Sequence, residues 1–253
     1  MYQVERQERI VRILEEKPRI TVEELAQMLQ VTAMTIRRDL KYLESVQIVS
    51  RTFGGAVLKS KLTLELPNKE KVLQHKEEKE KIAALAASMV EDGQTIILDA
   101  GTTTMAIAHH LDKNRKITVI TNDVLIAAYL VLSSSFDVHC TGGQVQNVIG
   151  ACMGSWAMQF LKEIYVDIAF IGASSVDVEL GITSPTQEKA ELKKEMVLSA
   201  EQVVLVADSS KFNRRSINKI CSLQELSLII SDAGLDQTVQ KNLQEKKIPL
   251  KVV

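Results

Sequence analysis

Cysteine is scarce in this 253-residue chain, which contains only Cys140, Cys152 and Cys221. None of the three lies in a Cys-x-x-Cys pair, and neither they nor the four histidines show the spacing of a metal site. An odd number of unpaired cysteines is typical of a reducing compartment. We therefore expect no metal, no cofactor and no redox role, and we expect the cysteines to be small buried side chains.

Long apolar runs are also absent, so no segment is predicted to cross a membrane. The first residues carry charge at Glu5 and Arg6, without the apolar stretch of a secretory signal. Hydrophobic residues make up 45% of the chain and charged residues 25%, as in ordinary globular proteins. These features predict a cytoplasmic protein.

The net charge of −1 conceals a local excess of positive charge. Residues 32–61 contain six basic and only two acidic residues, whereas the rest of the chain is acidic overall. A local basic patch of this kind is what binding to double-stranded DNA requires, and the charge of the whole chain matters less.

The first 58 residues are predicted to form three helices and a hairpin. Thr21 and Glu24 have the spacing of a capping box at the start of a second helix, and Thr32 is a favourable N-cap for a third. Residues 48–53 favour an extended strand, and the pair Gly54-Gly55 predicts the turn of a hairpin. This order of elements is that of a winged helix-turn-helix.

The third helix carries the residues that point to DNA. Ile36, Leu40 and Leu43 are spaced to face a core, and a rotation of about 100° per residue places Arg38 on the opposite side. The start of such a helix enters the major groove, where arginine binds guanine or phosphate. Arg37 and Arg38 alone favour a solvated surface, but the combination with the capping box, the turn, the core spacing and the hairpin favours DNA. The predicted contacts are Thr32, Met34, Thr35, Arg37, Arg38, Lys41 and, on the hairpin, Arg51.

Strand and helix patterns alternate in the rest of the chain, which predicts an α/β domain with a mainly parallel sheet covered on both faces. Trp156 lies on one of the predicted helices and is expected in the core. The predicted domains are residues 1–58, a linker at 59–74 and residues 75–253. The predicted strands span residues 95–99, 117–121, 138–141, 168–172, 203–207, 228–231 and 250–253.

Polar residues follow several of these strands, at the edge where α/β sheets bind ligands. The segment Asp99-Ala100-Gly101-Thr102-Thr103-Thr104 joins a strand to a helix, and its glycine, hydroxyl groups and helix N-terminus suit a phosphate. A capped turn without a ligand explains the segment equally well. Thr121-Asn122-Asp123, Gly142-Gly143 and Asp208 with Lys211 follow other strands, so a shared pocket is expected.

The segment Thr35-Ile36-Arg37-Arg38-Asp39-Leu40, followed by Leu43-Glu44, Arg51 and Gly54-Gly55-Ala56, resembles the DeoR family of transcriptional regulators. The resemblance extends along the chain. It implies a repressor that acts as a homodimer or homotetramer, with a sensor domain similar in fold to ribose-phosphate isomerase and CoA transferases that binds a phosphorylated sugar. The residues it implies at the effector site are Asp99, Gly101, Thr102, Thr103, Thr104, Thr121, Asn122, Gly142, Gly143, Lys193, Asp208 and Lys211.

Four residues depart from the family pattern. Gln47 and Asn213 replace glycines, and Phe53 replaces a histidine before the glycine pair. Lys189 stands where many members have glutamate, which predicts a changed effector preference because a cation replaces a carboxylate.

Three functions compete at this stage. The first is a DNA-binding repressor modulated by a sugar phosphate. The second is a sugar-phosphate isomerase or acyl transferase with an accessory DNA-binding domain, in which Asp99, Asp208 and Lys193 act on the substrate. The third is a DNA-binding scaffold without a ligand. No local motif pairs a base with its partner, so no catalytic residue is predicted and the repressor is favoured.

Overall fold

The computed structural model describes residues 3–45, 48–58, 74–146 and 150–253. The chain divides into two compact units, Met1–Glu70 and Lys71–Val253. Gln47 and, apart from Gln74, the predicted linker at 59–74 lie outside the described residues. The predicted fold class is confirmed, with a winged helix-turn-helix in the first unit and an α/β fold in the second.

The N-terminal unit has three helices and a three-stranded antiparallel sheet with the strand order β1-β3-β2. Its core is formed by apolar side chains from all of these elements, among them Ile10, Ile36 and Leu40. The helices α1 to α3 span Gln3–Glu16, Val22–Leu29 and Ala33–Ser45, and the strands β1 to β3 span Arg19–Thr21, Val49–Thr52 and Gly55–Leu58.

Both predicted helix caps are present. The Glu24 amide donates to the Thr21 hydroxyl at 3.2 Å, while the Thr21 amide donates to the Glu24 carboxylate at 2.8 Å. The Thr35 amide donates to the hydroxyl of Thr32 at 3.2 Å. Between the two helices Gln30 adopts the left-handed conformation, with a φ of 54°. The turn of the helix-turn-helix is therefore fixed by local hydrogen bonds.

Strand β1 was not predicted, and it explains the second glycine of the hairpin. Gly54 has a φ of 81°, which favours glycine in the turn. A Cβ atom at Gly55 would overlap the carbonyl oxygen of Ile20 in β1. The glycine pair thus serves both the turn and the close approach of β1 to β3.

Asp39 is buried within the N-terminal unit, although the preceding residues Arg37 and Arg38 face solvent. Its carboxylate accepts from the Arg6 guanidinium at 2.6 and 3.3 Å and from the Gln7 amide group at 3.1 Å. These contacts join α1 to α3 across more than thirty positions of sequence. Asp39 therefore holds α3 in place, while its neighbours Arg37 and Arg38 are exposed.

The C-terminal unit is built on a parallel sheet with the strand order β15-β14-β12-β9-β4-β5-β6. All seven of its strands were predicted, with ends that differ by up to three residues. They span Thr95–Leu98 (β4), Thr118–Thr121 (β5), Asp137–Cys140 (β6), Val166–Gly172 (β9), Ala200–Val206 (β12), Leu228–Ser231 (β14) and Leu250–Val252 (β15).

Helices cover this sheet, and two apolar cores lie within the unit. Ile97 and Ile171 belong to one core, and Ile96 and Phe170 to the other, since successive strand residues point to opposite faces. The helices are α4 to α9, at Lys76–Ser88, Thr102–His110, Val124–Ser133, Ser155–Lys162, Gln187–Leu198 and Gln237–Glu245.

Five short strands outside the main sheet were missed by the sequence analysis. Gln144–Val145 (β7) and Cys152–Met153 (β8) form one antiparallel pair, while Ser175–Asp177 (β10), Gly181–Ser184 (β11) and Asn218–Cys221 (β13) form a three-stranded sheet. Two burial predictions were wrong. Trp156 is 74% exposed, and Cys140 is exposed whereas Cys152 and Cys221 are buried.

Among the described residues, none of the helices combines the length and the hydrophobicity that crossing a bilayer would require.

We predict that Asp39→Ala destabilises the N-terminal unit by about 3 kcal/mol, because the substitution removes the buried acceptor of three hydrogen bonds that join α1 to α3. Hydrogen exchange of the α1 and α3 amides in the full-length protein measures the effect. Glu5→Ala is the control, since the exposed Glu5 lies 3.8 Å from Arg9 in the same unit, and it should change stability by less than about 1 kcal/mol. Equal effects of the two substitutions would contradict the structural role of Asp39.

Candidate functional site

The exposed face of α3 presents the side chains that the sequence analysis assigned to DNA. Met34 is 67% exposed, and Arg37, Arg38 and Lys41 are also exposed, while Thr35 is half-buried near the start of the helix. Ile36, Leu40 and Leu43 are buried in the core as predicted. The helix therefore offers a basic and polar surface that begins at its capped N-terminus.

The arginines of this surface differ in their contacts. Arg37 lies 3.6 Å from Glu23 on α2, and Arg51 lies 3.8 Å from Glu44, whose carboxylate also accepts from the Arg51 amide at 3.0 Å. No residue of the described part of the chain forms an ion pair with Arg38. Arg38 is thus the arginine of α3 whose charge is not shared with a neighbouring carboxylate.

Phe53 lies in the turn between β2 and β3 and is fully exposed. Apolar area stabilises a fold only when it is buried, so the exposed phenyl ring of Phe53 does not stabilise its own unit. The replacement of histidine by Phe53 therefore places an apolar group at the tip of the wing.

The second candidate site lies where β4, β5 and β9 end. Lys193 on α8 forms an ion pair with the Asp99 carboxylate and donates to the carbonyl oxygen of Gly172 at 2.9 Å. The amide of Gly172 donates to Asp99 at 2.9 Å. The side-chain oxygen of Asn122 accepts from the Ala100 amide at 2.8 Å. We call Asp99, Asn122, Asp123, Gly172 and Lys193 the strand-end cluster.

Lys193 therefore has an acidic partner within its own unit. Its side chain is 12% exposed and that of Asp99 is 2% exposed, so the pair is largely shielded from water. An ion pair in such a place needs accurate geometry and additional hydrogen bonds, and Gly172 supplies them through both its amide and its carbonyl group.

Helix α5 starts beside this cluster without a side-chain cap. Its N-cap residue is Gly101, which has no side chain to accept a hydrogen bond from the first turn. Gly101 and Thr102 are partly exposed, whereas Thr103 and Thr104 are buried, and the Thr104 hydroxyl donates to the Gly101 carbonyl at 2.9 Å. Uncapped amides at a helix N-terminus favour an anion.

Asp123 caps the neighbouring helix α6 and was not among the predicted site residues. Its carboxylate accepts from the amides of Leu125 at 2.8 Å and Ile126 at 3.4 Å. Burial raises the pKa of Asp123, and the charge of Asp99 acts in the same direction, while these amides and that of Gly101 oppose the shift. The short loop after β5 thus holds both Asn122, a predicted effector residue, and Asp123, which caps α6.

Thr121, Gly142 and Gly143 lie close to the same corner. Thr121 is the last residue of β5 and is buried, and its hydroxyl accepts from the Asp123 amide at 3.0 Å. The two glycines are exposed in the turn after β6, with φ values of 71° and 100°. A Cβ atom at Gly143 would overlap the carbonyl oxygen of Met153, so this glycine permits the close approach of β8.

Asp208 and Lys211 belong to a different cluster, at the end of β12. Lys211 lies 3.7 Å from the buried Asp208 carboxylate, which also accepts from the amide of Ser210 at 3.1 Å. Lys79 and His75, at the start of α4, contribute positive charge to the same place. We call these groups the β12-end cluster. Within the described part of the chain, no hydrogen bond or ion pair joins it to the strand-end cluster.

The charges of the β12-end cluster shift two pKa values. Burial acts to raise the pKa of Asp208, but the charges of Lys211, His75 and Lys79 and the Ser210 hydroxyl outweigh it, so this pKa lies below its ordinary value. Burial lowers the pKa of Lys79 to about 8, although the charge of Asp208 opposes this. The sequence analysis missed Lys79 because a lysine in a charged stretch is normally solvated.

Several buried polar atoms at the ends of strands have no hydrogen-bond partner among the described residues. They are the Oγ atoms of Ser184 and Ser231, the Oγ1 atom of Thr186 and the Oδ2 atom of Asp208. Thr186 is the N-cap of α8 but does not cap it. Of these residues only Asp208 was predicted, because a single serine or threonine after a strand carries no pattern.

Asn213 and Lys189, two of the residues that depart from the family pattern, lie in the C-terminal unit. Asn213 has a φ of 54°, and asparagine is among the few residues other than glycine that adopt this left-handed conformation readily, so the backbone that glycine provides is preserved. Lys189 is buried on the first turn of α8, one turn before Lys193. The two lysines therefore share a face of that helix.

Comparison with known families agrees with this architecture. The DeoR-like helix-turn-helix domain matches residues 6–61, and the DeoR C terminal sensor domain matches residues 74–233. The chain belongs to the DeoR family of transcriptional regulators. The family assignment that the sequence motif predicted is therefore confirmed.

Two full-length relatives illustrate the family. An uncharacterized HTH-type transcriptional regulator of Haemophilus influenzae is 35% identical over 100% of this chain and 98% of its own. The HTH-type transcriptional repressor GlcR of Bacillus subtilis is 37% identical over 92% and 89%. Among solved structures, ribose 5-phosphate isomerase A of Methanocaldococcus jannaschii matches 55% of each chain with 21% identity and a TM-score of 0.41, a likeness too distant to indicate function.

We predict that Lys193→Ala destabilises the C-terminal unit by about 3 kcal/mol or more, because Asp99 then remains buried without its cation. Chemical denaturation of the full-length protein measures the effect. Lys194→Ala removes an exposed lysine from the same helix and should change stability by less than about 0.5 kcal/mol. Adding Asp99→Asn to Lys193→Ala should recover part of the loss, and the absence of any recovery would show that the pair is not the cause.

Proposed function

We propose that this DeoR-family protein is a cytoplasmic repressor of sugar-metabolism genes, and that a phosphorylated sugar bound in its C-terminal unit modulates its binding to an operator. In this proposal residues 1–58 read DNA, residues 59–74 connect the units and residues 75–253 sense the effector. The name of the related GlcR, a transcriptional repressor, supports the sign of the regulation.

The exposed face of α3 supports the DNA-binding part of the proposal. A capped helix start with Thr35, Arg37, Arg38 and Lys41 on its outer side has the composition that major-groove recognition requires. We assign base contacts to Met34 and Arg38 and phosphate contacts to Thr32 and to Arg51 of the wing. A homodimer or homotetramer would present two such helices to successive major grooves.

The uncapped N-terminus of α5 is the observation that supports a phosphorylated effector. Amides of the first turn, together with the Thr102 hydroxyl and the exposed turn at Gly142 and Gly143, can donate to phosphate oxygens. Asn122 presents an amide side chain to the same corner for sugar hydroxyl groups. We therefore place the effector at the strand-end cluster, and we place the β12-end cluster at the border of the pocket.

Modulation requires only that the effector binds one conformation of the protein better than another. A ligand held at the start of α5 would bridge the loops after β4, β5 and β6, the first two of which are joined by the hydrogen bond from the Ala100 amide to Asn122. A conformation that holds these loops together would then bind the ligand better than one in which they are apart.

The isomerase alternative gains little support from the site. Proton abstraction needs a carboxylate that is free to act as a base. The Asp99 carboxylate is engaged by Lys193 and by the Gly172 amide. In Asp208 the Oδ1 atom accepts from Ser210, and the Oδ2 atom lies 3.7 Å from Lys211 without a hydrogen bond among the described residues. Asp99 is thus occupied by structural contacts, and the charge of Asp208 is paired with a lysine.

We predict that Arg38→Ala weakens operator binding by about 1–3 kcal/mol for each half-site, the usual contribution of an arginine that contacts a base. Fluorescence anisotropy with a promoter duplex at several salt concentrations measures the change. Lys251→Ala removes one exposed positive charge from β15 and serves as the control. An Arg38→Ala variant with unchanged affinity at matched salt would contradict the placement of α3 on DNA.

We predict that Thr103→Asp abolishes the rise in melting temperature that a phosphorylated sugar produces, because the new carboxylate repels phosphate at the start of α5. Thr103 is buried, so the cost of burying the carboxylate is only partly offset by its favourable place in the first turn of the helix, and the melting temperature without ligand shows whether the fold survives. Thr103→Asn has nearly the same shape without the charge and should keep most of the response. Thermal-shift measurements with a panel of sugar phosphates provide the test, and a normal response of Thr103→Asp would place the phosphate elsewhere.

A further inference from the structure

Two of the three cysteines meet beside the strand-end cluster. The sulfur atoms of Cys140, at the end of β6, and Cys152, in β8, are 3.8 Å apart. Cys140 is exposed and Cys152 is buried. Twelve positions of sequence separate them, so their approach results from the fold and not from a local motif.

The backbone around both cysteines is fixed by the corner that the effector residues form. Cys140 is paired in register with Thr121 of β5. The amide of Cys152 donates to the carbonyl oxygen of Asn122 at 2.6 Å. The two thiols therefore flank Thr121 and Asn122 from neighbouring strands, with the turn at Gly142 and Gly143 between them in sequence.

We propose that Cys140 and Cys152 form a reversible intramolecular disulfide when the protein meets a peroxide. The sulfurs need to approach by less than about 2 Å to reach the bond length of a disulfide. That movement would draw β8 towards the end of β6. The structure thus assigns a modification site to a pair of residues for which the sequence predicted only a packing role.

Exposure and acidity give the two thiols different parts in the reaction. Cys140 is exposed and can meet the oxidant, whereas Cys152 is buried, and burial together with the neighbouring Cys140 raises the pKa of Cys152 to about 11, so Cys140 is the thiol that reacts first. The Cys140 sulfur attacks one peroxide oxygen, the O–O bond breaks, and a sulfenic acid and water result. The Cys152 sulfur then attacks the Cys140 sulfur, loses its proton and displaces the hydroxyl group as a second water.

The two thiols and the peroxide account for all atoms and electrons of the reaction. Two thiols and one hydrogen peroxide give one disulfide and two waters, the two sulfurs lose two electrons in total, and the peroxide gains them. A dithiol reductant reverses the change by thiol–disulfide exchange.

The disulfide would affect the same corner that the proposed effector occupies. Closing the sulfur gap shifts Cys152, whose amide holds Asn122, and the Asn122 side chain in turn holds the Ala100 amide before α5. This consequence rests on the proposed function, whereas formation of the disulfide does not. The experiment therefore measures the two separately.

The chemical test uses reduced full-length protein treated with hydrogen peroxide, then alkylation under denaturing conditions, because two of the three thiols are buried, followed by intact mass measurement and peptide mapping without reductant. We expect an intact mass with one alkyl group instead of the three of the reduced control and with two hydrogens fewer at the protected thiols, and one linked peptide pair that contains Cys140 and Cys152. Dithiothreitol should restore all three thiols. Linkage through Cys221, or oxidation of Cys140 to sulfinic acid without a disulfide, would overturn the proposal.

Three variants sharpen this test. Cys221→Ser removes a buried cysteine from β13 and should behave as the wild-type protein does. Cys140→Ser should protect no thiols. Cys152→Ala, which keeps a small apolar group in the buried position, should stop at a Cys140 sulfenic acid that dimedone traps. Undiminished thiol protection in Cys140→Ser would overturn the assignment even if Cys152→Ala proved unstable.

The consequence for the effector is read from thermal shifts of the reduced and the oxidised protein with the same panel of sugar phosphates. We expect the shift to be smaller after oxidation in the wild-type protein and in Cys221→Ser, and unchanged in Cys140→Ser. Equal shifts above zero in both states of a protein shown to carry the disulfide would overturn the coupling to the effector site. If neither state responds to any phosphorylated sugar while the disulfide forms, the proposed function fails and the modification site stands.

Discussion

The ion pair between Lys193 and Asp99 is the contact on which the corner of the sensor unit depends. Asp99 lies at the end of β4 and would be destabilised by burial without a cation. Lys193 arrives from α8, far away in sequence, and its second hydrogen bond to Gly172 joins β9 to the same point. One buried pair thus fixes the ends of two central strands and a helix. The loop that starts α5 is built on this fixed point.

A similar division between structure and recognition exists in the N-terminal unit. Within the motif of α3, Asp39 turns inward to Arg6 and Gln7, while Arg38 turns outward and keeps its charge unshared by the described residues. Adjacent residues on a helix differ by about 100° in direction, so one short motif can serve the fold and DNA recognition at the same time. This is why the motif identifies the family more specifically than the arginines alone.

The sequence predicted the large elements and missed what depends on distant partners. Buried parallel strands such as β9 are continuous apolar runs, which are visible without any structure. The short β1 and β7 are too small for a pattern, and Trp156 was placed in the core by hydrophobicity although it is exposed. The predicted pocket residues form two clusters because β9 lies between β12 and β4 in the sheet, so that β12 ends apart from β4 and β5. The sequence shows neither this strand order nor the register. The thiol pair depends on the same information.

The commitment of the lysines to carboxylates also bears on the phosphate recognition that we propose for this site. Lys193 and Lys211 are both close to buried acids, so neither would contribute a full free charge to a phosphate. Under the proposed function the attraction comes mainly from the uncapped amides of α5, whose partial charges are fixed in direction by the helix and need no reorganisation when a ligand arrives. A site of this kind discriminates by geometry more than by charge.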